Sequence, residues 1–214
     1  MNIGILGTGM VGQALGVGFL AQGHQVMIGS RDPHSEKVTA WVQEQGEHAS
    51  SGTFAETAAW GEILVLCTLW SGTENALQLA DAANFAGKVV LDVTNPLVFA
   101  PNAPPALALG HTDSGGEQVQ RWLPEAHVVK AFNIVGAPHM VNPNFPGGPP
   151  DMFIGGNERS AKAIVSQICQ DFGWNVIDLG DITAARLLEP MCIAWVIYGV
   201  HTGSWNHAFK LLHT

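Results

Sequence analysis

The 214 residues carry 9 Lys+Arg against 18 Asp+Glu, a formal charge of −9, and are 47% apolar but only 13% charged. That balance fills a core and excludes a disordered chain, which needs low hydrophobicity and high charge. The acidic excess without a basic run argues against nucleic acid and against anionic membrane surfaces, since both are held by Lys and Arg.

Cys67, Cys169 and Cys192 lie far apart in apolar stretches, with no CxxC pair or Cys/His cluster. They read as reduced thiols, with no metal site. The opening residues Met1 to Leu6 lack the basic n-region of a signal peptide. The late apolar run from Met191 to Val200 is half of the roughly 20 residues a membrane span needs. The expectation is a cytoplasmic protein without membrane contact.

In chain order, a short apolar run predicts a strand over 2–6, and Gly7-Thr8-Gly9-Met10-Val11-Gly12 follows at once. Val11, Leu15 and Phe19 then recur at helical spacing until Gly23, and residues 25–28 read as a second strand. This is one strand–turn–helix–strand unit of βαβ size. The alternation continues with helices at 35–45 and 54–60, a strand at 62–68, a helix at 73–83 and a strand at 88–93. These strands are near-continuous Val/Ile/Leu runs, as in a parallel sheet covered on both faces.

Residues 95–116 are rich in Pro, Gly, Ala and Asn and read as one long loop. A helix at 117–123 and a strand at 126–132 lead to a second Pro/Gly-rich stretch, 133–150, taken as a hinge. Beyond it come a strand at 151–155, a helix at 158–172, a strand at 175–179 and a helix at 182–200. Pro190 should kink or split that last helix. The fold class expected is α/β, a doubly wound parallel sheet of Rossmann type over 1–145 with a small C-terminal α/β unit over 146–214. The smaller unit would supply the substrate side and a dimer contact.

The glycine motif gains force from its place between a strand and a helix. Gly7 permits the tight turn, Gly9 admits a pyrophosphate close to the backbone, and Gly12 lets the helix approach the strand. An NAD site places Asp or Glu at the end of the second strand. Here that place reads Ile28-Gly29-Ser30-Arg31-Asp32. A hydroxyl and a guanidinium fork suit a 2′-phosphate, so NADP is the expected cofactor; His34, Ser35 and Lys37 extend the same basic, hydroxylated stretch. Asp32 is the one contrary residue, and Arg31 has an alternative reading as a solvated surface group.

Thr68, Leu69 and Trp70 follow one strand, Thr94 and Asn95 the next, and Asn133 the one after, where doubly wound folds bind ligands. Trp70 reads equally as packing. Thr94 and Asn95 are candidates for the nicotinamide amide or for a plain Asn-Pro turn. No acid/base dyad stands out, and His111, His139 and His201 are isolated in sequence. An alcohol or hydroxy-acid dehydrogenase needs a proton donor at the carbonyl oxygen, whereas hydride transfer between heteroaromatic rings needs only positioning. The apolar last helix, with Leu187, Leu188, Met191, Ala194, Trp195, Ile197 and Tyr198, fits either a core helix or a homodimer contact.

Residues Ile5 to Gly12, Gly29-Ser30-Arg31 and Val128-Val129-Lys130-Ala131-Phe132-Asn133 resemble the F420-dependent NADP oxidoreductase family. That family includes the cytosolic NADPH-binding domains of the six-transmembrane metalloreductases. Asp151 to Gly156, Gly173-Trp174 and Ala185 to Pro190 are similar to its soluble bacterial branch. The resemblance implies that Thr8, Met10, Val11, Ser30 and Arg31 bind NADP. It also implies a flavin or deazaflavin-type hydride acceptor and a homodimer through the C-terminal helices. At Asn133 the chain is similar to the metalloreductase domains, the archaeal F420 enzymes having His there. The competing function class is a non-catalytic NADP(H)-binding or sensing domain.

Overall fold

The computed structural model describes residues 1–212. Strands β1 (Asn2–Leu6), β2 (Gln25–Ser30) and β3 (Ala49–Thr53) alternate with helices α1 (Met10–Ala21), α2 (Glu36–Gln45) and α3 (Phe54–Trp60). Then come β4 (Ile63–Leu66), α4 (Trp70–Ala80), β5 (Val89–Asp92), a hairpin of β6 (Leu97–Val98) and β7 (Ala106–Leu107), α5 (Gly115–Trp122) and β8 (His127–Lys130). The chain closes with β9 (Asp151–Gly156), α6 (Arg159–Asp171), β10 (Asn175–Asp178) and α7 (Ala185–Thr202). Eight strands form one sheet in the order β10-β9-β8-β5-β4-β1-β2-β3.

From β3 to β8 every pairing is parallel. The strand order reverses between β1 and β4, the switch point at which doubly wound sheets hold a ligand. Leu15, Phe19, Val38, Trp41, Val165 and Phe172 cover one face; Phe54, Leu77, Phe85, Val119 and Leu123 cover the other. Burial on both faces explains why β1, β4 and β5 carry almost no polar side chains.

The expected doubly wound fold is present, with three local differences. Ala49-Ser50-Ser51-Gly52-Thr53 forms β3, which no apolar run announces because it is an edge strand. The loop expected over 95–116 contains the β6–β7 hairpin. The C-terminal strands continue the same sheet: β9 lies antiparallel beside β8, and β10 parallel beside β9.

Helix α7 is not split by Pro190. With its preceding turn it spans Ile182–Thr202 and is long and apolar enough to cross a membrane, with 44% of its most apolar stretch buried in the structure. It packs on α5, β7 and β9, and buries Leu188, Glu189, Cys192 and Trp195.

Candidate functional site

Two adjoining cavities open at the carboxyl ends of the strands. The first, of about 680 Å³, is lined by the glycine turn, Gly29-Ser30-Arg31 and the start of α4. The second, of about 530 Å³, runs from there to Val93-Thr94-Asn95 and the tip of the β6–β7 hairpin. They share Val11, Cys67, Thr68, Leu69 and Ser71.

The glycine turn meets its steric demands. Gly7 has φ of +125°, and a Cβ there would stand 2.8 Å from the Cys67 carbonyl oxygen. A Cβ on Gly12 would run into the Gly7 carbonyl oxygen, whereas one on Gly9 would meet nothing within 4 Å. Gly12 is therefore a packing residue beneath the site, and Gly9 is on its open wall.

Helices α1 and α4 both begin at the first cavity. Neither has a side-chain cap or an acidic residue in its first turn. Among the other helices α3 has a Thr53–Glu56 capping box and Ser114 caps α5, while α2, α6 and α7 also lack a side-chain cap. Uncapped N-termini leave backbone N–H groups and positive dipole ends for an anion.

Arg31 is exposed on the cavity rim and makes no hydrogen bond or ion pair with the described residues. Asp32 is turned into a local loop: its carboxylate accepts from His34 N–H at 3.1 Å, and its own N–H donates to Ser30 Oγ at 3.2 Å. Among the described residues, no carboxylate lines the first cavity. These features fit a diphosphate and a 2′-phosphate, and hence the dinucleotide NADP.

The second cavity differs in chemistry. Its outer wall is apolar and exposed, with Leu69 at 79%, Val98 at 46% and Phe99 at 74%. Trp70 belongs to this cavity rather than the first, and stacks on Trp122 with ring centroids 5.6 Å apart. Thr68 hydrogen-bonds Thr73 at 2.9 Å. Cys67 lines both cavities, and burial first and the Asp92 charge second raise its thiol well above the ordinary range, which disfavours the thiolate.

Thr94 and Asn95 are held through nearly every polar atom. Thr94 donates from its N–H and its hydroxyl to Asp92 Oδ1, at 2.9 and 2.7 Å. Its carbonyl accepts from Lys130 Nζ at 2.7 Å. Asn95 and Asn133 interlock: Asn95 Nδ2 donates to the Asn133 carbonyl at 2.8 Å, and Asn133 Nδ2 donates to Asn95 Oδ1 at 3.0 Å and to the Leu188 carbonyl at 2.9 Å. Asn133 is thus buried behind the cavity wall and lines neither cavity. Phe132, wholly buried with φ of +57°, makes the turn that brings Asn133 there. A bulky residue in the left-handed region is strained, and here packing on Phe172 and Trp174 holds it.

Sequence reasoning missed the Lys130 cluster. Lys130 Nζ lies 2.8 Å from Asp92 Oδ2 and 3.0 Å from Glu189 Oε1, all three side chains being at most 1% exposed. Glu189 in turn accepts from the N–H groups of Gly115 and Gly116, both at 2.9 Å, at the start of α5. In the sequence Lys130 is one residue of the Val128–Asn133 motif, and the available signal is that a lysine ending an apolar strand has no route to water. The histidines stay apart from the two cavities. His139 bonds Asn206 at 3.0 Å and packs on Phe145, His111 lines a separate groove beside α7, and His201 is exposed near the end of α7.

Residues 2–96 match the family model "NADP oxidoreductase coenzyme F420-dependent". A crystal structure from Arthrobacter sp. FB24, provisionally named an F420-dependent NADP-reductase, is 39% identical, with a TM-score of 0.93 over 99% of both chains. The F420-dependent NADP reductase of Methanothermobacter marburgensis is 27% identical over 89% of each chain. The metalloreductase STEAP3 of Rattus norvegicus is 30% identical over 89% of this chain, which spans only 36% of that protein's length. Whole-length agreement with a 39% identical structure, and a matched family model over the strands that build the site, establish that this chain belongs to the F420-dependent NADP oxidoreductase family, a family of NADP-dependent oxidoreductases.

Proposed function

We propose that the chain passes hydride between NADP(H) and a flat heteroaromatic acceptor of the flavin or deazaflavin class, the F420 type included. The observation that carries this reading is the pair of cavities joined over one floor. The first has the anion-binding character a dinucleotide needs, and the second has the exposed apolar wall a planar ring needs.

In this reading the α1 N-terminus, with Thr8, Gly9, Met10 and Val11, holds the diphosphate, and Ser30 with Arg31 holds the 2′-phosphate. Thr68, Leu69 and Trp70 flank the passage between the cavities. Thr94 meets the nicotinamide carboxamide, and Asn95 and Asn133 brace the Thr94 segment from behind. The cofactor supplies the hydride, and the acceptor ring stacks beside it against Leu69, Val98 and Phe99. Such a transfer needs the reacting carbons held about 3–3.5 Å apart with water excluded, and no acid or base. The raised Cys67 thiol and the distant histidines agree with that.

The unit over 146–214 contributes α7, whose exposed Leu187 and Tyr198 suit a contact with a second copy in a cytoplasmic homodimer. An open second cavity favours turnover over a sensing role, in which the nicotinamide side would be closed.

Purified protein mixed anaerobically with NADPH and then with F420, FMN, FAD or riboflavin tests the reading, NADH serving as comparison donor. The expected result is NADPH-specific oxidation with at least one of these acceptors. Tight NADPH binding without turnover of any of them refutes it.

A further inference from the structure

Three charged side chains sealed from water beneath the second cavity need a reason. A buried ion pair is poor evidence for stability, because desolvation offsets most of the Coulomb gain and apolar residues of equal volume serve as well. Each charge here ends on something specific. The Lys130 ammonium donates to the Thr94 carbonyl at 2.7 Å and is ion-paired with Asp92 and Glu189 at 2.8 and 3.0 Å. Asp92 takes both donors of Thr94 on one oxygen. Glu189, from α7, takes the first two N–H groups of α5. Asp92 Oδ2 and Glu189 Oε1 both lie within 3.0 Å of the Lys130 ammonium. Burial alone would lower the Lys130 ammonium, and the two carboxylates outweigh it and hold it above its ordinary value.

The consequence falls on Thr94. Its N–H, hydroxyl proton and carbonyl are all engaged from below. Its hydroxyl oxygen can therefore only accept a further hydrogen bond. A group that must be met there by a pure acceptor is an N–H donor, and an amide NH2 qualifies.

We propose that Lys130, Asp92 and Glu189 are positioning residues that lock Thr94 as a hydrogen-bond acceptor for the nicotinamide carboxamide, and so set which ring face meets the acceptor. This rests on reading the second cavity as the nicotinamide's. Glu189 lies on α7, so the lock also ties the C-terminal helix to the site.

The test compares binding of NADPH with binding of adenosine 2′,5′-bisphosphate, which carries the 2′-phosphate end and no nicotinamide. Asp92→Asn leaves the shape but offers one acceptor oxygen where Thr94 and Lys130 use two, its NH2 facing one of them as a donor. It should weaken NADPH about tenfold, one good hydrogen bond's worth, and leave the bisphosphate within about twofold. Thr94→Val should match it, and Thr94→Ser, which keeps the hydroxyl, should bind like the parent. Where Asp92→Asn fails to fold, Glu189→Gln carries the test, with about a threefold loss for NADPH alone. Unchanged NADPH affinity in these variants, or equal weakening of both ligands, overturns the proposal. Parent protein that binds NADPH no tighter than the bisphosphate overturns instead the nicotinamide reading on which it rests.

Discussion

The two cavities use polar groups in opposite ways. Around the first, donors are left unpaired: two helix N-termini have no side-chain cap, and Arg31 has no partner among the described residues. Around the second, Thr94, Asn95 and Asn133 spend their hydrogen bonds on one another and on a buried charge cluster. The difference follows from what each end must do. Phosphates are heavily solvated, and only groups not already satisfied can replace their water. A neutral ring gains little from charge and much from being held at one angle, which a pre-satisfied wall provides without moving.

The contrast can be broken from either side. The largest effect is expected at the locked end. Lys130→Met leaves two buried carboxylates without their cation and should cost about 3–5 kcal/mol of stability, read by denaturant unfolding. A loss under about 1 kcal/mol would mean that water reaches the cluster.

At the open end, Arg31→Ala removes no internal contact, so stability should hold. NADPH affinity should fall by about 1.5–3 kcal/mol, the worth of a charge-assisted hydrogen bond, while NADH binding stays level. Equal losses for both nucleotides would remove Arg31 from the 2′-phosphate. Phe99→Ala should raise the acceptor KM by roughly 1.5–3 kcal/mol of lost apolar burial and leave NADPH binding alone, as steady-state kinetics can check.

Away from both cavities, Thr53→Ala breaks the α3 capping box. It should cost about 1 kcal/mol in thermal unfolding with nucleotide affinity unchanged.

The smallest effect is on acid stability. The Arg186 guanidinium bonds Glu117 and holds its carboxyl below the ordinary 4.5. A depressed folded-state value means that this contribution is complete above about pH 4.5 and is lost as pH falls through the folded-state value. Arg186→Met should flatten the fall in stability on acidification below that pH. An unchanged profile would show that the pair does not couple α5 to α7.

Much of the fold and half of the site can be read from residues adjacent in sequence. Gly7, Gly9 and Gly12 sit at fixed spacing after an apolar run, and their steric roles follow from that spacing alone. Ser30 ends β2 and Arg31 follows it, so their place beside the turn follows once β1 and β2 are recognised as parallel neighbours. Near-continuous apolar runs locate the buried strands, and a 3.6-residue period locates the helices packed on them.

Other features depend on residues brought together only by folding. β3 has no apolar period because an edge strand packs only partly, and the two-residue strands of the hairpin are too short to carry one. Lys130 meets Asp92 because β8 lies beside β5, and Glu189 because α7 returns across the ends of both. Asn133 has its donors turned inward rather than toward a ligand, through a left-handed turn at Phe132 that local propensity opposes and the surrounding aromatic packing imposes. Composition and period register local backbone preference and burial. The pairing of buried charges is decided by strand order, which neither of them encodes.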